Sequence, residues 1–243
     1  MYRFLKKLLS RAVSRQRLLR HELLFRKPYA ALYSGNRHAC NICNKKLSAF
    51  IVQPNKDLLC PSCGSLARNR RLWKILNESF LKDGVTVLDF SPSRSLWRMM
   101  KSIKSIKYIS TDLSDNFIAD HKFDITALDL PAESISLVIC YHVLEHVPDD
   151  AKAMDELFRV MKPQGKAIIQ TPFIAGEIYE DFSITSPEER AKHFGQDDHV
   201  RVYSAQGLKD RLKKAGFDVE IRNFEAEPYH GFEEETVLIV TKP

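Results

Sequence analysis

The chain has 243 residues, 44% of them hydrophobic, and carries a formal net charge of +6. That length suits one full α/β domain with a small appendage. No apolar run reaches the roughly 18 residues of a membrane span and no stretch has the build of a secretory signal, so a soluble chain is expected.

The charge is uneven. Residues 1–27 hold nine Lys/Arg and one acid, Glu22, which leaves 28 basic against 30 acidic residues in the rest. Basicity that would point to nucleic acid or a membrane therefore belongs to an arm, and the body is nearly neutral. In that arm Met1, Leu5, Leu8, Ala12, Leu19 and Leu23 recur at helical spacing opposite Arg3, Lys6, Arg17 and Arg20, which predicts a basic amphipathic helix over 1–28. Docking on its own domain or on a protein partner is the plainest use. A helix lying on a membrane surface and an arginine-rich transit peptide are the alternatives. Pro28, which has no amide donor, is expected to end the helix.

Two CxxC pairs follow, Cys40 with Cys43 and Cys60 with Cys63, with 16 residues between them. Four thiolates at that spacing suit a closed, structural Zn2+ site better than disulfides, and they predict a zinc-ribbon-like lobe over 38–66 and a reducing compartment. A closed four-sulfur site has no open position for chemistry. Cys140 sits in an apolar run and reads as a small buried hydrophobe.

From residue 67 to 243 a single α/β domain is expected. SLARNRRLWKILNESFL reads as a helix with Leu66, Leu72, Trp73, Leu76 and Phe80 inward. VTVLDF, KYISTD, SISLVICY and GKAIIQTP then alternate with helical stretches over 150–161 and 204–214, the rhythm of a doubly wound, mostly parallel sheet. FDVEIRNF and ETVLIVTK add an antiparallel edge, and a strand ending at Asp124 brings the expected count to seven. In such sheets a nucleotide lies beyond the carboxyl ends of the strands, with an acid about 20 residues on to hold the ribose. Asp112, 21 residues after Ser91, is in that position, and Asp124 suits an adenine amine.

The stretch SLVICYHVLEHVPDDAKAMDELFRVMKPQGKAIIQTP resembles the class I S-adenosylmethionine-dependent methyltransferases, in the small-molecule group with a "hVLEHV" segment after strand four and "hh-x-R-hh-K-P-x-G" before strand five. The resemblance covers about 85–242. It is also close to a bacterial subgroup in which a CxxC…CPxCGS lobe precedes the domain and HFGQDDHVRVY follows strand five. It implies a Rossmann-like fold with S-adenosylmethionine as cofactor. The loop after Asp89, with Ser91 and Ser93, would meet the amino-acid end of the cofactor. Asp112 and Leu113 would bind the ribose, Asp124 with Ile125 the adenine, and Tyr141 with His142 would line the transfer pocket.

This chain departs from the family at one point. The common D-x-G-x-G-x-G is replaced by Asp89-Phe90-Ser91-Pro92-Ser93-Arg94-Ser95. Glycines allow positive φ and close approach, so the loop is either reshaped around serine hydroxyls and helix amides or inactive. The retained Asp112, Asp124 and His142 segment favours the working site, with Arg94 placed to pair with the cofactor carboxylate.

Transfer to oxygen needs alignment and a base near neutral pH. His142, His146 and His199 are the candidate catalytic groups, and His193, Asp198 and Arg201 the candidate acceptor contacts, Arg201 for a phosphate or carboxylate. The leading expectation is a cytoplasmic, or membrane-peripheral, enzyme that O-methylates a small-molecule or glycan-type acceptor. One alternative is an RNA methyltransferase gripping phosphates through the arm, the zinc lobe and Arg68, Arg70 and Arg71; the other is a non-catalytic adaptor.

Overall fold

The computed structural model describes residues 21–114 and 116–243. Most of the expected arm helix, residues 1–20, lies outside them. The described residues divide into two compact units: one holds the residues up to Asn77 with Ser93–Met99 and Ala226–Glu233, the other Glu78–Pro92, Met100–Glu225 and Glu234–Pro243.

In the first unit, α1 (Glu22–Leu32) leads into β1 (Ser34–Ala39), β2 (Lys46–Leu47), β3 (Ile51–Val52), β4 (Leu58–Leu59) and α2 (Ala67–Ser79). β1 pairs with β2 and β3 with β4, both antiparallel, which places one CxxC turn after β1 and the other after β4. Pro28 does not end the first helix, which runs through it to Leu32. Proline's fixed φ is helical, so the helix can run through it at the cost of the amide it cannot give to the carbonyl one turn back and of its ring crowding that carbonyl. α2 turns Leu72, Trp73 and Leu76 inward as its spacing predicts, and Ile75 with them; Leu66 and Phe80, which flank the helix, are half-buried.

The arginines of α2 differ from the RNA reading. Arg70 is fully buried and donates to the carbonyls of Leu58, Ser65, His230 and Gly231 at 2.7–3.0 Å, with its guanidinium 4.1 Å from the centre of the Phe50 ring. Arg71 is buried over Phe232 and donates to the Glu233 carbonyl, and Arg68 pairs with Asp57. Two of the three cations are therefore ties within the unit, turned away from any phosphate.

The second unit is built on β5 (Thr86–Phe90), β6 (Lys107–Thr111), β7 (Ile135–Tyr141), α4 (Asp150–Val160), β8 (Met161–Gln170), α6 (Ala205–Lys214), β12 (Asp218–Phe224) and β13 (Glu235–Thr241). α3 (Arg94–Ser102) begins in the first unit and ends in the second. The sheet order is β12-β13-β8-β7-β5-β6; β5 to β8 pair in parallel and β13 lies antiparallel to both β8 and β12. β7 is buried along Leu137, Val138, Ile139 and Cys140, the unbroken apolar run of a central parallel strand.

Six strands form this sheet among the described residues, where seven were expected. The segment ending at Asp124 makes only isolated bridges, His121 to Thr111 in parallel and Asp124 to Ala127, and Asp124 Oδ1 accepts both the amide and the hydroxyl of Thr126 at 2.8 Å and turns the chain. A smaller sheet joins β9 (Phe173–Ile174), β10 (Tyr179–Glu180) and β11 (Arg201–Ser204), with α5 (Pro187–Phe194) between the last two. In the main sheet Phe90 sits beside both Thr111 and Cys140. Ser91, Asp112 and Tyr141 therefore leave the sheet at one carboxyl edge.

Candidate active site and metal centre

At that edge Asp89 is buried and accepts the Tyr108 hydroxyl at 2.8 Å. Burial pushes its carboxyl up to about 7, against the pull of the Tyr108 hydrogen bond. Ser91 takes a left-handed φ of 49°, the conformation a glycine would supply, and gives its amide to the Thr111 carbonyl at 2.7 Å. Its hydroxyl donates to Asp112 Oδ1 at 2.8 Å. Asp112, also buried, accepts further hydrogen bonds from the Ser114 hydroxyl and the Phe117 amide. Leu113 and Asp124 are exposed, Ile125 buried and Tyr141 half-buried.

In the first unit, Ser93 stands at the start of α3, where its Oγ accepts the Leu96 amide at 3.4 Å and lies 3.3 Å from Ser95 Oγ. Arg94 is not placed as expected. Its guanidinium donates to both oxygens of buried Glu22, at 2.7 and 3.2 Å, and Arg26 and Arg98 approach the same carboxylate.

Beyond β7, His142 takes a φ of 54°, and a 3₁₀ turn over Leu144–His146 presents Glu145 and His146. Glu145 is 1% exposed. His142 Nδ1 stands 3.2 Å from Glu145 Oε1, yet neither carboxylate oxygen has a partner in hydrogen-bonding geometry. His199, 3% exposed, packs edge-on against the His146 ring with centroids 4.6 Å apart. Its Nδ1 lies 3.0 Å from the Phe194 carbonyl, which can only accept, so that nitrogen carries the proton. Burial and then the neighbouring His146 hold His199 below the usual imidazole range.

His146 Nδ1 stands 3.3 Å from Asp198 Oδ2. His193 points elsewhere, to the Tyr179 hydroxyl and Glu189. Arg201 is 1% exposed, and its guanidinium donates to the carbonyls of Leu144, Val147 and Pro148 and to Glu180. It ties β11 to the 3₁₀ turn, a location that anchors the loop.

The four cysteines of the first unit converge, all unbridged. Their sulfurs lie within 4.8 Å of one another, with Cys40 to Cys63 at 3.6 Å and Cys43 to Cys60 at 3.8 Å. Sulfurs about 2.3 Å from a tetrahedral zinc are themselves about 3.8 Å apart, so the cluster has the span of a zinc site. The Ser65 hydroxyl lies within reach of both Cys40 and Cys63. Hydrogen bonds from the other thiols pull Cys40 down, and Cys40 in turn pushes Cys60 and Cys63 up, so without a cation the group cannot hold four thiolates.

A family profile described as "Methyltransferase domain" matches residues 37–220. The chain belongs to the class I S-adenosylmethionine-dependent methyltransferases. A probable S-adenosylmethionine-dependent methyltransferase of Mycolicibacterium smegmatis is 32% identical over 97 residues, which span 40% of this chain and 34% of that relative. A methyltransferase of Archaeoglobus fulgidus shares the fold at 20% identity and a TM-score of 0.52, over 73% of this chain and 92% of that one. The phosphoethanolamine N-methyltransferase 2 of Haemonchus contortus, solved with S-adenosylhomocysteine, does so at 16% identity and 0.53, over 72% and 53%. A putative methyltransferase of Haloferax volcanii, solved with its Trm112 activator, is similar at 14% identity and 0.51, over 71% and 88%.

S-adenosylmethionine is the cofactor of that family, and the four-cysteine cluster fits zinc. Several groups escape a sequence reading of the methyltransferase. Tyr108 on Asp89 and Glu22 on Arg94 carry no motif. Glu145 stands in plain view in the HVLEHV segment, three residues after His142 and beside His146, a spacing that signals a shared carboxylate.

Proposed function

We propose that this methyltransferase transfers a methyl group to a hydroxyl oxygen of a small-molecule or glycan-type acceptor. The observation that carries the reading is the group His142, Glu145, His146 and His199, gathered just past the carboxyl end of β7. Ser91, Asp112 and Leu113 would face the ribose, Asp124 and Ile125 the adenine, with Asp89 and Ser93 toward the amino-acid end and Tyr141 beside the transfer pocket.

When bound, S-adenosylmethionine would supply a methyl carbon on a sulfonium, open to an oxygen lone pair and with a neutral thioether as its leaving group. His142, which stands at the Glu145 carboxylate and is only partly buried, takes the hydroxyl proton. The Glu145 carboxylate, 3.2 Å away, balances the charge that ring gains. Burial of Glu145 and His199 keeps water from the same spot. The exposed Asp198 and His193 remain candidates for acceptor contact, and the basic arm for a protein partner or a membrane surface.

The test combines calorimetry with product analysis. S-adenosylhomocysteine should bind the wild type and lose at least about ten-fold in affinity in Asp112→Ala, the loss expected when a hydrogen bond to a charged group is removed. A labelled methyl group should pass to hydroxylated acceptors, and His142→Ala should stop that transfer while cofactor affinity is retained. Labelling confined to RNA, or no cofactor binding at all, would overturn the reading.

A further inference from the structure

The cluster beside the 3₁₀ turn is electrically unfinished. Glu145 and His199 are almost wholly buried, and neither the Glu145 carboxylate oxygens nor His199 Nε2 has a hydrogen-bond partner among the described residues. Because His199 Nδ1 gives its proton to the Phe194 carbonyl, Nε2 presents a lone pair. The buried His199 ring thus carries an unpartnered lone pair in the same cluster as the unpartnered Glu145 carboxylate. His146 brings a third donor, and one ligand atom from each of the three lies within 4.8 Å of the others. Buried acceptors of this kind call for a positive centre between them.

We propose that Glu145, His146 and His199 form a second metal site, which takes a divalent first-row transition cation and is separate from the four-cysteine zinc. Two imidazoles and one carboxylate suit Zn2+, Co2+, Fe2+ or Mn2+ better than the all-oxygen preference of Mg2+ or Ca2+. The surroundings are those of a ligand set held from behind. The Phe194 carbonyl fixes the His199 tautomer, and Asp198 stands 3.3 Å from His146 Nδ1.

The two chain segments are also locked together. The Val200 amide donates to the Glu145 carbonyl at 2.9 Å, and Arg201 holds the carbonyls of Leu144 and Val147. Three protein donors leave coordination positions open. An acceptor hydroxyl bound there would lose its proton more readily, with His142 alongside to take it. That role rests on the oxygen-transfer reading above, whereas binding of the cation does not.

The experiment uses the full chain with its cysteine lobe already saturated with zinc, titrated with Co2+ and followed by visible absorption, metal content and, in parallel, S-adenosylhomocysteine calorimetry. We expect one Co2+ per chain in addition to one zinc, with the weak bands of nitrogen and oxygen ligands and no thiolate charge-transfer band. Glu145→Gln and His199→Ala should abolish the second ion and leave the zinc in place. His146→Ala, at a partly exposed position that folding tolerates, should weaken it at least about ten-fold, and Asp198→Asn by roughly ten-fold. A wild type that binds S-adenosylhomocysteine yet takes up no second ion overturns the metal site and leaves the methyltransferase reading intact. Co2+ uptake unchanged in Glu145→Gln and His146→Ala overturns it as well. Uptake without any cofactor binding would sustain the site and sink the enzymatic role.

Discussion

The Ser91 hydroxyl donates to Asp112 Oδ1 across 21 residues of sequence, joining the ends of two neighbouring parallel strands. Ser91 does so from a left-handed φ of 49°, so the loop keeps a backbone shape that glycine usually supplies and adds a side-chain tie. A residue with a Cβ in that conformation costs about 1 kcal/mol, and a neutral donor on a carboxylate returns about as much. Ser91→Ala should therefore lower stability by about 1 kcal/mol, while Ser91→Gly should be more stable than Ser91→Ala by a similar amount. Urea midpoints of the three proteins decide it; an alanine variant as stable as the wild type would show that the tie contributes nothing.

Asp89 makes a prediction about pH. Its carboxyl is pushed up to about 7 by burial, well above the ordinary range of an unfolded chain. The folded protein then holds a proton that the unfolded chain has released. The stability this group contributes is complete below about pH 4 and drains away as pH rises to about 7. In Asp89→Asn that falling slope should disappear, and chemical denaturation between about pH 4 and 8 should show a flatter profile than the wild type. Identical profiles would mean that Asp89 is ionised throughout.

The sheet, α2 and the four cysteines are readable in the sequence because each rests on local spacing: short apolar runs in β5 to β8, helical period in α2, two CxxC turns. Asp112 is readable for the same reason, through its distance from Ser91. What escapes is the fate of charged side chains whose partners are far along the chain. Arg70 finds Gly231 at a separation of 161 residues and Arg201 finds Leu144 at 57, and in both cases the partner is a backbone carbonyl, which leaves no mark on the sequence. Arg94 likewise finds Glu22 72 residues away. The missing strand at Asp124 is a local misreading, since an Asx turn to Thr126 outweighs weak strand propensity.

The cysteine lobe should hold one zinc per chain. Metal analysis after dialysis gives the count, and Cys60→Ser should both drop the metal and melt the first unit, because sulfurs this close and this buried repel when ionised and are held only by the cation. Arg70 depends on the same turns through its bond to the Ser65 carbonyl, so the melting should reach α2. Hydrogen exchange would resolve it: protection lost over residues 40–77 with β5 to β8 unchanged is the expected pattern. Metal loss with full protection retained would leave the zinc without a structural role.

Arg201 distinguishes an anchor from a ligand reader. Its side chain is 1% exposed, with Nε on Glu180 at 2.9 Å and Nη2 on the Pro148 carbonyl at 2.7 Å, while Arg211 bridges Glu180 and Asp150 beside it. Removing one partner from a buried, hydrogen-bonded charge network costs about 3–5 kcal/mol. Arg201→Ala should fall in that range. Arg201→Lys should recover only part of it, because an ammonium cannot reproduce the fork that spans Leu144, Val147 and Pro148. Turnover should fall in both variants with S-adenosylhomocysteine affinity retained, since the 3₁₀ turn carrying Glu145 and His146 loses its tether to β11. An Arg201→Ala protein within about 0.5 kcal/mol of wild type but with a raised acceptor KM would restore the guanidinium to the role of reading the acceptor.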